Sequence, residues 1–137
     1  MNSNPMILIA DDDRQLVSIL SIRCRRLGIE VEQAFDALTA LKSMWRRTPD
    51  LVILDVNMPT GSGLNACEIF SADPAWATIP VIVLTGRTDP ETIIRCHQLC
   101  AYYVPKDGDV WSRIEPLLLE LLGSASTLGP VSETQPC

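Results

Sequence analysis

Apolar runs that stop abruptly on a polar residue constrain this chain most. Met6-Ile7-Leu8-Ile9-Ala10 runs into Asp11-Asp12-Asp13, Leu51-Val52-Ile53-Leu54 into Asp55, and Ile79-Pro80-Val81-Ile82-Val83-Leu84 into Thr85-Gly86. A strand apolar on both alternating faces must be covered on both sides, which is the habit of strands inside a parallel sheet. Between these runs the period changes to that of helices. Leu16, Ile19, Leu20 and Leu27 recur at helical spacing before Gly28, a helix stop. Asp36 can cap a second helix reaching about Arg47, with Leu38, Leu41, Met44 and Trp45 available for burial.

The remaining elements follow the same alternation. Ile29 to Phe35 mixes apolar and polar positions and suits an edge strand, and a helix from about Gly63 to Ser71 ends before the turn signal Ala72-Asp73-Pro74. Pro90 fits the first turn of a fourth helix, and Tyr102-Tyr103-Val104 makes a short strand ending at Lys106. The last helix spans roughly Asp109 to Leu122, with Val110, Ile114, Leu117, Leu118 and Leu121 on one face and Pro116 expected to bend it or delay its start. Five strands alternating with five helices define a doubly wound parallel α/β sheet. Residues 1–122 read as one domain, and 123–137, small and polar, as a disordered tail or linker.

Bulk properties narrow the function. The formal charge of −6 is the wrong sign for a nucleic-acid surface. No apolar run approaches a membrane span, and the N-terminus lacks the basic region of a signal peptide, so the expected location is the cytoplasm. The five cysteines form no CxxC pair and read as reduced and chemically idle, Cys96 and Cys100 with His97 lacking further metal ligands.

In sheets of this kind the site lies beyond the carboxyl ends of the strands. Four of the five strands end there on a residue with chemistry: Asp11 and Asp12, Asp55, Thr85 and Lys106. Singly, each has an ordinary explanation as a helix cap, a turn residue or a solvated charge. Together they place clustered carboxylates, a hydroxyl and a cation around one crevice. Two charges about 4 Å apart repel by roughly 4 kcal/mol at an effective dielectric of 20, and a divalent cation resolves such a cluster. An all-oxygen set suits Mg²⁺. Magnesium points to phosphate chemistry, in which an Asp carboxylate can act as nucleophile.

The residues ILIADDD, LVILDVNMP followed by glycine, IPVIVLTG and YYVPK, each at the end of its strand, resemble the response-regulator receiver domains of two-component signalling, of the chemotaxis-regulator type. The resemblance spans Pro5 to about Leu122. It implies a flavodoxin-like sheet of order 2-1-3-4-5. It implies that Asp55 accepts a phosphoryl group from a histidine kinase or a histidine phosphotransfer protein. Asp12, Asp55 and the Asn57 carbonyl would ligate Mg²⁺, with Asp11 acting through water. Thr85, Gly86 and Lys106 would bind the phosphoryl group. Thr85 and Tyr103 would act as the switch, and Asn57 and Arg87 would tune dephosphorylation. The output would pass through the face of helix four, strand five and helix five to an unidentified protein or C-terminal domain, or into a phosphorylation-dependent dimer. The chain departs from the family pattern at Leu99-Cys100, where glycine-alanine is usual, and at Lys106-Asp107, where Lys-Pro is usual. Without proline a cis bond there costs several kcal/mol, so the expected loop is trans, or cis under strain.

Two other classes compete. A phosphorylation-independent docking module would use the fold alone. A phosphatase of the haloacid-dehalogenase type would need a second acid two residues after Asp55, where Asn57 stands.

Overall fold

The computed structural model describes residues 4–86 and 88–123. Arg87, expected to tune dephosphorylation, and the tail expected beyond the last helix lie outside the described residues. In chain order the elements are β1 (Met6–Ala10), α1 (Arg14–Arg26), β2 (Glu30–Ala34), α2 (Ala37–Arg46), β3 (Leu51–Asp55), β4 (Asn57–Met58), β5 (Gly61–Ser62), α3 (Gly63–Ala72), β6 (Val81–Thr85), α4 (Pro90–Gln98), β7 (Tyr102–Pro105) and α5 (Val110–Gly123). Five parallel strands form one sheet in the order β2-β1-β3-β6-β7. With the two-residue ribbon β4-β5 set aside, this is the expected order 2-1-3-4-5.

The central runs are apolar throughout because the sheet has two dry faces. Leu8, Ala10, Val52, Leu54, Val81 and Val83 face one core with Met44, Ala66, Cys67 and Phe70 of α2 and α3. Their neighbours Ile7, Ile9, Leu51, Ile53, Ile82 and Leu84 face the other, with Val17, Leu20, Ile114 and Leu118 of α1 and α5. Alternation with period two sends successive residues to opposite faces. Each fully buried side chain of this size contributes about 1.5–3 kcal/mol.

Strand β6 begins at Val81 and not at Ile79, because Pro80 has no N–H for the ladder; its carbonyl still accepts the Val52 N–H at 3.0 Å. Edge strand β2 is guarded by charge: Glu30 and Glu32 pair with Arg47 and Arg46, each at 2.8 Å, which discourages pairing with another chain. The Asp36 cap matches the sequence reading, and Asp89 adds a cap that it did not name. The carboxylate of Asp36 accepts the Thr39 N–H at 2.7 Å and that of Asp89 accepts Thr92 N–H at 3.0 Å. Pro116 lies inside α5, whose start at Val110 is not delayed.

Three expectations need correction. Ile19 and Leu27 of the α1 pattern are exposed and Val17 takes the core position. On α2, Leu38 and Trp45 face solvent while Met44 and Ala40 are buried. A rotation of about 100° per residue separates neighbours on a helix, so a slightly misplaced stripe exchanges buried for exposed. The cysteines are not all reduced: Cys24, Cys67 and Cys96 are buried free thiols, whereas Cys100 is disulfide-bonded.

Candidate functional site

Strand registry builds the site. Ala10 pairs with Leu54 and Asp55 with Leu84, so β1, β3 and β6 end at one level. Parallel pairing therefore brings Asp11, Asp12 and Asp55, distant in sequence, to a common edge. Carboxylate oxygens of these three residues lie within 4.8 Å of one another. Asp11 and Asp55 are buried, at 1% and 4% exposure, and Asp12 is exposed. At the far side Lys106 N–H donates to the Thr85 carbonyl at 2.8 Å, fastening the end of β7 to the end of β6. The Lys106 ammonium then lies 2.8 Å from Asp11 Oδ2 and 3.5 Å from Asp55 Oδ2.

Among the described residues Lys106 is the cation that contacts both buried acids, and it does not offset their burial. Asp55 is pushed up to about 6 by burial first and then by the Asp11 charge, against which Lys106 and the Asn57 main-chain N–H work. Asp11 is also raised, chiefly by burial, with Lys106 and the Asp13 N–H opposing. For Lys106 burial works downward, yet the carboxylates prevail and its ammonium is held more firmly than usual. The Lys106 contact with Asp11 was not foreseen from the sequence, which assigned this lysine to the phosphoryl group alone.

The loop after Asp55 is held from two sides. Its ribbon pairs Asn57 with Ser62 and Met58 with Gly61. Pro59 carbonyl and Thr60 Oγ1 accept the N–H groups of Ala37 and Leu38 at 3.3 and 3.2 Å, so the ribbon rests on the start of α2. Gly63 opens α3 against the Asp55 main chain. A Cβ at that position would stand 1.8 Å from the Asp55 carbonyl oxygen, so only glycine permits this approach. The sequence reading placed Gly63 at the start of a helix; its role in seating Asp55 was missed because the close approach is tertiary.

The other expected residues fall around this edge. Thr85 is fully buried at the end of β6 and Gly86 follows it, exposed. Asn57 and Asp12 line a shallow pocket of about 390 Å³ with Val56, Met58 and Ser62. Tyr103 is half-buried on β7, in register with Val83, and lines a groove between α4, β7 and α5. No peptide bond among the described residues is cis, so the Lys106-Asp107 bond is trans.

Among the described residues Asp11 Oδ2 is buried and meets no hydrogen-bond geometry, although the Lys106 ammonium stands 2.8 Å from it. An underserved carboxylate oxygen beside two other acids fits a hard divalent cation of the Mg²⁺ class.

Fold and site together define an aspartate-centred, doubly wound α/β domain with an acidic pocket at the carboxyl edge of its sheet. The chain belongs to the response regulator receiver domain family, whose profile matches residues 7–110. It is 36% identical over 96 residues to a protein-glutamate methylesterase/protein-glutamine glutaminase of Anaeromyxobacter dehalogenans, covering 69% of this chain and 26% of that protein. It is 33% identical over 88 residues to the DNA-binding response regulator MtrA of Mycolicibacterium paratuberculosis, covering 64% of this chain and 38% of the relative. The chain thus spans well under half the length of these curated relatives. Among solved structures, a putative response regulator from Chloroflexus aurantiacus superposes with a TM-score of 0.77 at 27% identity, covering 87% of this chain and 98% of the other. The family is one of signalling switches, and no helix among the described residues is long and apolar enough to cross a membrane.

Proposed function

We propose that Asp55 is the phosphoacceptor of a Mg²⁺-dependent signalling switch charged by a histidine kinase or a histidine phosphotransfer protein. The observation that carries this reading is the buried Asp55 carboxylate, grouped with those of Asp11 and Asp12 within 4.8 Å and with the Lys106 ammonium 3.5 Å away.

In the transfer an Asp55 oxygen bonds to phosphorus as the P–N bond to the donor imidazole breaks. The bonding pair leaves with the imidazole, which takes a proton from solvent, and Asp55 becomes an acyl phosphate. Asp12, Asp55 and the Asn57 carbonyl would hold Mg²⁺, with Asp11 acting through water. Bound there, the ion neutralises charge on the transferring oxygens. Lys106 supplies a point charge to a second oxygen, and Thr85 with Gly86 hydrogen-bonds a third. Tyr103 answers the loaded state as the aromatic switch of the α4-β7-α5 face, and Asn57 and Arg87 tune loss of the group. Output then passes to an unidentified protein, to a C-terminal domain or into a dimer. The setting is the cytoplasm, with residues beyond Gly123 serving as a tail or linker.

Acetyl phosphate with Mg²⁺ should add one phosphoryl group to the intact protein, read by mass spectrometry, and Asp55→Asn should abolish the gain. A wild type that gains no mass favours a docking module. Sustained turnover of organic phosphates favours a phosphatase.

A further inference from the structure

The loop joining β7 to α5 carries Lys106, yet it has no proline to fix it and its backbone is trans. Other devices hold it. Gly108 supplies a left-handed turn at φ +60, and the Asp109 carboxylate accepts the Ser112 N–H at 3.3 Å to start α5. Between them, Asp107 Oδ1 lies 2.8 Å from the Arg113 guanidinium in the first turns of α5. Asp107 is therefore tied to the helix while its neighbour Lys106 is tied to Thr85 and the two acids.

Both partners face functional ground. Arg113 lines the groove of about 790 Å³ between α4, β7 and α5, beside Tyr103 and Pro116. The Tyr103 phenol is raised chiefly by burial, and the Asp107 charge adds to that rise, so Asp107 lies within electrostatic reach of Tyr103. An acyl phosphate at Asp55 would add negative charge close to this loop, drawing Lys106 inward and repelling Asp107.

We propose that the Asp107–Arg113 pair is a charge clasp that positions the Lys106 loop in place of a proline and links it to α5. This rests on the phosphoacceptor reading of Asp55. Asp107 and Arg113 are thus positioning residues, acting through Lys106.

Two measurements test the clasp: the rate of phosphorylation of the intact protein by acetyl phosphate with Mg²⁺, and amide exchange at Lys106 without phosphodonor. D107N and R113M should each slow phosphorylation two- to fivefold, the range expected from a solvent-exposed ion pair. Lys106 N–H exchange should quicken by a similar factor. The double variant should be no slower than the slower single one, because both changes remove one contact. R113K, which keeps the charge, should stay within twofold of wild type. Multiplying effects in the double variant, or faster phosphorylation in D107N, would overturn the clasp, since either means that the groups act independently. A wild type that takes up the phosphoryl group, with unchanged rates and exchange in the variants, overturns the clasp alone. A wild type that takes up none overturns the phosphoacceptor reading and this role with it.

Discussion

Asp55→Asn should make the metal-free protein more stable. Folding raises the Asp55 carboxyl from 3.8 to about 6, and each unit is about 1.4 kcal/mol of preference for the neutral form. An ionised Asp55 therefore costs the folded state about 3 kcal/mol above pH 6. Its side chain is only 5% exposed, so solvent screening removes little of this. Asparagine gives up the 3.5 Å ion pair with Lys106 but leaves the shorter one with Asp11. The net gain is about 1–3 kcal/mol, or roughly 4–12 °C in melting temperature for a domain of this size.

The sign with pH is definite. A carboxyl raised by folding leaves the native state with more bound protons than the unfolded chain between pH 3.8 and 6, so wild-type stability falls across that window. The advantage of the variant should be absent below about pH 4, grow through pH 6 and level off above it. Thermal and urea melts of both proteins in EDTA, from pH 4 to pH 8, measure this. Asp11 titrates in both proteins, and its repulsion of Asp55 is part of the difference that the melts read. A wild type as stable as Asp55→Asn at pH 7.5, or a difference that does not shrink on acidification, refutes the reasoning.

Two more outcomes follow from the same geometry. Mg²⁺ at a hundredfold excess over its dissociation constant should stabilise the wild type by about 2.7 kcal/mol, and Asp12→Ala should remove most of this; equal melting with and without Mg²⁺ in wild type would count against a metal site. Gly63→Ala should cost at least about 2 kcal/mol in urea unfolding, because its Cβ meets backbone that cannot rotate away. It should also slow phosphorylation of Asp55, and wild-type stability in this variant would mean that α3 does not seat the Asp55 carbonyl.

Much of the molecule was legible before folding was considered. The apolar runs of β1, β3 and β6 announce a two-faced buried sheet, and Asp36 and Pro90 mark helix starts, since both signals are local. That Asp11, Asp12, Asp55, Thr85 and Lys106 gather at one edge was legible because parallel strands must end at one level. The outward face of α2, with Trp45 at 69% exposure beside buried Met44, was not. A helical stripe of this width can turn by one residue at little local cost, and packing against the sheet chooses.

The sequence by itself determined the order of elements and the kinds of groups at the crevice, because spacing and residue type are properties of the chain. Only the tertiary structure decided how those groups share charge. The ammonium of Lys106 stands between Asp11 and Asp55, and burial still holds each acid above its ordinary range. The trans loop tied by Asp107 to Arg113 and the bare Gly63 under the Asp55 carbonyl are tertiary facts too. Each depends on distances of a few ångströms between segments separated in the chain or turned by the fold, and linear spacing does not encode such distances.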